Sequence, residues 1–264
     1  MRRTGELYVK DLLKRGRYSF TLQEAAEQLG RKGAALNLAL QRLKKAGWIA
    51  PVSRGFYLAL DVQHQGGGIL DPLWFVDDWA RHMRMSYYVG GLSAAAQHGA
   101  AHQRPMQFQV FGDRQVRAIK QPQLHLATFF KRNLAGMPMA QLKSPAGYFR
   151  VSTPELTAYD IVAYPRCCPS LDHAATVLVE LAEAIKARAL GELLQKGCRL
   201  PPLQRLGWLL DHVQWSEKAN VLHDALARHP LNWVTLESRL PAKGPRDTRW
   251  HVVENTDVHA DIER

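Results

Sequence analysis

Asn37, Gln41, Arg42 and Lys45 fall along one side of a helix if the stretch around them is helical. Asn and Gln amides pair bidentately with adenine, Arg pairs with guanine, and Lys neutralises phosphate. Ala34 and Leu38 complete that face. Leu38 is the odd member, suited to a thymine methyl or to packing on a neighbouring element. Arg31 and Lys32 stand just before the helix, and Arg54 occupies a Ser53-Arg54-Gly55 tip, placed for a backbone phosphate or the minor groove. These seven residues, Arg31, Lys32, Asn37, Gln41, Arg42, Lys45 and Arg54, are the candidate DNA-binding set.

Other groupings offer catalytic chemistry and lack its frame. His98 and His102 are four apart, but Gly99 breaks a helix between them and no HExxH pattern surrounds them. Adjacent Asp77 and Asp78 point about 100° apart on a helix and do not share a site. Gly90-Gly91-Leu92-Ser93-Ala94 lacks the Gly-x-Ser-x-Gly frame of a nucleophile turn, and Ser93 reads as the cap of the following helix. Glu155 and Asp160 lie near strands, as nuclease carboxylates do, without the Lys that should follow an acidic strand residue. The triple glycine at 66–68 has no Lys-Ser/Thr after it to hold phosphate. Cys167, Cys168 and Cys198 are odd in number, include a vicinal pair and have no zinc spacing, so they read as small core-filling residues. Trp74, Trp79, Tyr87 and Tyr88 read as core. No catalytic residue, metal site or cofactor is expected, and the chain does not read as an enzyme.

The elements around the polar face have strong local signals. Thr21 precedes Glu24 by three residues ahead of Leu22, Ala25, Ala26 and Leu29, a capping box followed by helical spacing. Gly30 ends that helix. The next is expected from about Lys32 to Ala46, with Leu36, Ala39, Leu40 and Leu43 inward and Gly47 as its stop. Val52 and Phe56-Tyr57-Leu58 read as strands flanking the Arg54 tip. A support helix over Thr4–Leu13 comes first. Helix, turn, helix, wing is the outline of a winged helix-turn-helix.

Charge agrees with that reading. Residues 1–60 carry twelve Lys/Arg against four Asp/Glu, +8 of a formal +11, and the other 204 residues carry +3. With 46% hydrophobic and 22% charged residues among 264, the chain can build a real core. No run of 18 apolar residues suggests a membrane span, and the basic start has no apolar core behind it, so a cytoplasmic protein is expected.

The expected fold class is α+β, in three parts. Residues 1–62 form the winged helix-turn-helix domain, 63–70 a Gly-rich linker, and 71–264 an α+β domain with a helical C-terminal part. In that last part, helices are expected over 71–84, 93–98, 153–163, 171–194, 203–213 and 216–229. Strands are expected at 87–89, 106–111, 115–120, 124–130, 141–143 and 148–151, with a late one near 249–253.

The run YYVGGLSAAAQHG (Tyr87 to Gly99), Gln103-Arg104-Pro105, and VSTPELTAYDIVAYP (Val151 to Pro165) follow the winged helix in order. A helical tail follows them. Over about residues 20–255 the chain resembles the AbiEi antitoxin family of type IV toxin–antitoxin systems. That resemblance implies a repressor that binds inverted repeats in its own promoter as double-stranded DNA. It also implies a C-terminal domain that antagonises a nucleotidyltransferase-type toxin without a stable complex. Members of the family carry a basic residue in the later Pro-Glu segment where this chain has Leu156-Thr157. Two other readings are kept. One is a winged-helix regulator whose large domain binds a ligand or partner with no toxin. The other is a DNA-targeted nuclease or transferase using Glu155 or Asp160. No heptad helix for dimerisation is visible, which allows monomers on paired half-sites.

Overall fold

The computed structural model describes residues 4–61, 70–100, 105–121 and 124–260. The chain is α+β. In order its first elements are α1 (Gly5–Lys14), β1 (Ser19–Thr21), α2 (Leu22–Leu29), α3 (Gly33–Lys45), β2 (Ile49–Ser53) and β3 (Phe56–Ala59). Next come α4 (Val76–His82), β4 (Tyr87–Val89), α5 (Gly91–Gln97), β5 (Phe108–Gly112), β6 (Ile119–Gln121), β7 (Leu124–Phe130), β8 (Met139–Ser144) and β9 (Gly147–Ser152). The remainder is α6 (Pro154–Ala163), α7 (Leu171–Ala184), α8 (Ala187–Gly191), α9 (Leu200–His212), α10 (Ser216–Leu226), β10 (Val234–Thr235), β11 (Arg246–Asp247) and β12 (Val252–Val253).

Among the described residues three sheets form, ordered β1-β3-β2, β10-β12-β11 and β6-β7-β5-β4-β9-β8. The chain resolves into two compact units. One comprises residues 1–87, 112–130 and 141–150; the other comprises 88–111, 131–140 and 151–264.

The first unit contains the winged helix. Thr4 caps α1 by accepting the Leu7 N–H at 3.4 Å. The capping box of α2 forms: Glu24 N–H donates to Thr21 Oγ1 at 3.2 Å, and Thr21 N–H donates to Glu24 Oε2 at 2.7 Å. Gly30 closes α2 in the left-handed region, at φ 59° and ψ 36°, where a Cβ would cost energy. Tyr8, Val9, Leu12, Phe20, Leu29, Leu36, Leu40, Leu43 and Ile49 then meet in one core. Each fully buried Leu, Ile or Phe contributes roughly 1.5–3 kcal/mol relative to exposure. The sheet is antiparallel, with Phe20 opposite Tyr57 and Ala50 opposite Leu58, and β2 bulges between Pro51 and Ser53.

Residues 71–87 pack in this same unit, whereas the sequence groups residue 71 onward with the large domain. Trp74 lies edge-on to Tyr18 with ring centroids 4.6 Å apart, Ser19 Oγ donates to Asp78 at 2.7 Å, and His82 Nε2 lies 3.0 Å from the Arg54 carbonyl. The helix expected over 71–84 is interrupted at Phe75, whose φ of −134° separates a 3-10 turn at Pro72–Trp74 from α4. That break buries the Phe75 ring. The Gly-rich segment expected as a linker lies almost entirely outside the described residues.

In the second unit, α5 packs on α6, and α6 packs on α7 and α9. The helix expected over 171–194 is broken. Ile185 turns to an extended ψ of 128°, and the Glu155 carboxylate takes the Lys186 N–H at 2.7 Å, so α7 ends and α8 starts anew. Trp250 is fully buried and donates from Nε1 to Asp211 at 2.8 Å, which pins the small β10-β12-β11 sheet to α9. The strand expected over 115–120 forms only as β6, three residues that pair with β7 from Ile119 onward.

Candidate nucleic-acid interface

The helix α3 is held to the core by Leu36, Ala39, Leu40 and Leu43. Those anchors leave Ala34, Ala35, Asn37, Leu38, Gln41, Arg42, Lys44 and Lys45 exposed. Six of these are the face expected from the sequence. Lys44, left out of that set, is exposed beside it. No acidic residue occurs in the helix, and Arg42, Lys44 and Lys45 lie in its last turn, where the helix dipole favours cations. Among the described residues, no hydrogen bond or ion pair engages the side chains of Lys32, Asn37, Gln41, Arg42 or Lys45. An exposed amide or guanidinium without an intramolecular partner is available to an outside one. Leu38 is 49% exposed, so its side chain is not consumed by packing within the chain.

The other expected members flank the helix. Arg31 is half-buried in the turn after Gly30, and Lys32 is exposed at the N-cap of α3. Arg54 is exposed at the turn between β2 and β3. Its position is set from behind: the Gly55 carbonyl accepts the Leu22 N–H at 2.8 Å, and His82 holds the Arg54 carbonyl. The carboxylate of Glu24 does not oppose this basic surface freely. Burial alone would raise its pKa, but Arg17 at 2.6 Å and the Thr21 bonds outweigh burial and hold it below the ordinary glutamate value.

A second cluster, absent from the sequence reading, sits in the second unit. Lys131 follows β7 directly, and its Nζ lies 2.6 Å from Asp160 Oδ1, with the two side chains 7% and 0% exposed. Tyr88 donates its hydroxyl to Asp160 Oδ2 at 2.8 Å. Rings of Tyr88, Phe111, Tyr159 and Tyr164 surround Nζ with centroids 5.9, 5.9, 4.9 and 5.5 Å away. Burial and the Asp160 charge push the Tyr88 phenol well above its ordinary range, so it stays a donor. Leu156 and Thr157, where the resembling family carries a basic residue, are fully buried here. The positive charge against α6 comes instead from Lys131.

The residues that suggest catalysis are committed elsewhere. Asp160 is consumed by Lys131 and Tyr88, and Glu155 is buried beneath Lys186. Asp77 accepts from Tyr87 at 3.0 Å and Arg81 at 2.6 Å, while Asp78 ties α4 to β1. His98 Nε2 meets the Ser152 carbonyl at 2.8 Å; His102 lies outside the described residues, as do Gln103 and Arg104. Ser93 is not the cap expected of it. The helix α5 begins two residues earlier because Gln109 Oε1 accepts the Leu92 N–H at 2.7 Å, and Gly91 turns at φ 56°. A Cβ on Gly91 would lie 2.0 Å from Cys167 Sγ, so only glycine fits. Ser93 Oγ instead accepts the Gln109 N–H at 2.9 Å. All three cysteines are buried and free.

Two comparisons with known proteins bear on this arrangement. Residues 88–212 match the family model described as AbiEi antitoxin C-terminal domain. A solved structure, the RV2827C protein from Mycobacterium tuberculosis, is similar over 93% of this chain and 89% of its own, with a TM-score of 0.68 and 17% identity. At that identity the likeness speaks for the fold alone. No curated protein matches the chain. No helix among the described residues is long and apolar enough to cross a membrane. The stretch from Tyr88 to His212, which includes α5, α6 and the Lys131–Asp160 cluster, belongs to the AbiEi antitoxin family.

Proposed function

We propose that the chain is a DNA-binding repressor and antitoxin. Its winged helix binds double-stranded DNA in its own promoter, at inverted repeats, and represses the operon. Its C-terminal domain antagonises a nucleotidyltransferase-type toxin, as in a type IV system, without a stable complex. The observation that carries the DNA reading is α3 itself: an exposed Asn37-Gln41-Arg42-Lys45 face with no acid in the helix and, among the described residues, no intramolecular partner. Asn37 and Gln41 suit base edges, while Lys32, Lys45 and Arg54 suit phosphates. The antitoxin half rests on the family match over residues 88–212.

The two halves are tested separately. Mobility shifts with the upstream fragment and unrelated DNA, for wild type and Asn37→Ala, test the first. Wild type should prefer its own fragment, and the variant should show a weaker preference. Rescue of growth from a co-expressed neighbouring nucleotidyltransferase-like gene tests the second. Absence of rescue would favour a regulator whose large domain serves another partner.

A further inference from the structure

The positive charge of this chain extends past the winged helix in space. Residues of the first unit hold nineteen Lys/Arg against nine Asp/Glu, a net +10 of the chain's +11. Outside the first 60 residues, two stretches of that unit are net positive. Residues 112–130 carry Arg114, Arg117 and Lys120 against Asp113, and 141–150 carry Lys143 and Arg150 against no acid. From Arg114 to Phe130, seventeen residues, there is no acid at all.

The ribbon of β6 and β7 sorts its side chains by face. Ile119 pairs with Leu126 and Gln121 with Leu124, and Ile119, Leu124 and Leu126 are buried. Lys120 pairs with His125 on the alternate face, and both are exposed. Arg117, just before β6, is exposed too. Among the described residues the side chains of Arg117 and Lys120 have no hydrogen bond or ion pair, whereas Arg114 donates to the Met83 carbonyl at 3.4 Å. The ribbon is fastened to the wing: Gln121 Nε2 donates to the Pro51 carbonyl at 2.7 Å. Pro51 lies in β2, one of the two edge strands of the winged-helix sheet, at its bulge. Arg54 is three residues further on, at the turn that ends β2.

We infer that the β6–β7 ribbon is a second phosphate-binding arm docked on the wing. Arg117 and Lys120 contact the DNA backbone beside the phosphates held by Arg54. This rests on the reading of the winged helix as a DNA binder and extends it to a ribbon inside the family-matched stretch. A lone lysine on an edge strand also serves to block strand-to-strand pairing. Two exposed cations in an acid-free stretch, on a ribbon that Gln121 bonds to the wing, go beyond that need.

The test is the salt dependence of DNA affinity of the full chain, on its upstream fragment and on a random duplex of equal length. Arg117→Gln/Lys120→Gln should lower the slope of log K against log salt by about two, and weaken both duplexes by similar factors. Lys45→Gln serves as the internal reference, with an expected loss of about one. A slope unchanged in the double variant but lowered in Lys45→Gln overturns the arm and leaves the winged-helix reading standing. Absence of salt-dependent binding by the wild type overturns both. Both arm residues are exposed, so an unchanged thermal midpoint is expected to accompany the slope change.

Discussion

Asn37 and Gln41 carry the most specific chemistry at the residue scale. A good bidentate pair discriminates by about 1–3 kcal/mol, so Asn37→Ala or Gln41→Ala should relax base preference by that much and leave the salt slope alone. Competition binding against point-mutated fragments checks this, and unchanged preference in both variants would mean that this face of α3 does not read the bases. The cysteines make a different prediction. Burial pushes the Cys168 and Cys198 thiols up to about 12, and Cys167 well above its ordinary value. At pH 8 the thiolate share at a pKa near 12 is about one in ten thousand. A chromogenic disulfide reagent should therefore find almost no reactive thiol in the folded protein and three after denaturation. Rapid labelling of the native chain would contradict their burial.

The α3 face was legible in the residues because helix periodicity is local and its apolar stripe is unambiguous. The Lys131–Asp160 pair was not, since its partners stand 29 residues apart and neither carries a local signal. Ser93 misled for a related reason. A serine before three alanines looks like a cap, but the cap is supplied from outside the helix by Gln109.

At the scale of elements, two devices hold the frame. The capping box fixes where α2 starts and hence how α3 is presented. Thr21→Ala should cost about 1 kcal/mol of stability. Glu24 also links the box to pH. Its folded pKa lies below its unfolded one, so the unfolded chain takes up the proton first. The stability it contributes is full above the ordinary glutamate range and is lost as pH falls through the folded value. Glu24→Gln should flatten that part of the acid unfolding curve, and an identical curve would remove Glu24 from the account. The second device is the buried ion pair beneath α6. Lys131→Met leaves Asp160 uncompensated and should cost about 3–5 kcal/mol, read as a fall in the denaturation midpoint. Lys131→Met with Asp160→Leu should recover much of that, because neither charge is then stranded. A double variant as unstable as the single would point to packing rather than charge. The strands were less legible than the helices. β6 is only three residues long, and its pairing with β7, not its own pattern, defines it.

For the whole molecule, charge separates the two units. One unit carries +10 and contains the winged helix, the segment through Tyr87 and the β6–β7 ribbon; the other carries +1. The sequence showed the basic N-terminus but not that later basic stretches join it, because unit membership is a matter of tertiary contact. The α+β class was legible from the alternation of strand and helix patterns. The interruption between α7 and α8 was not, as a side chain from α6 creates it.

The most direct test of the central claim is a mobility shift at 150 mM salt with the chain's own upstream fragment beside an equal amount of unrelated DNA. Preferential retardation of the upstream fragment, lost in Asn37→Ala/Gln41→Ala, is the predicted result. Equal retardation of both fragments by wild type and variant alike would contradict a sequence-reading winged helix and leave α3 a non-specific anchor.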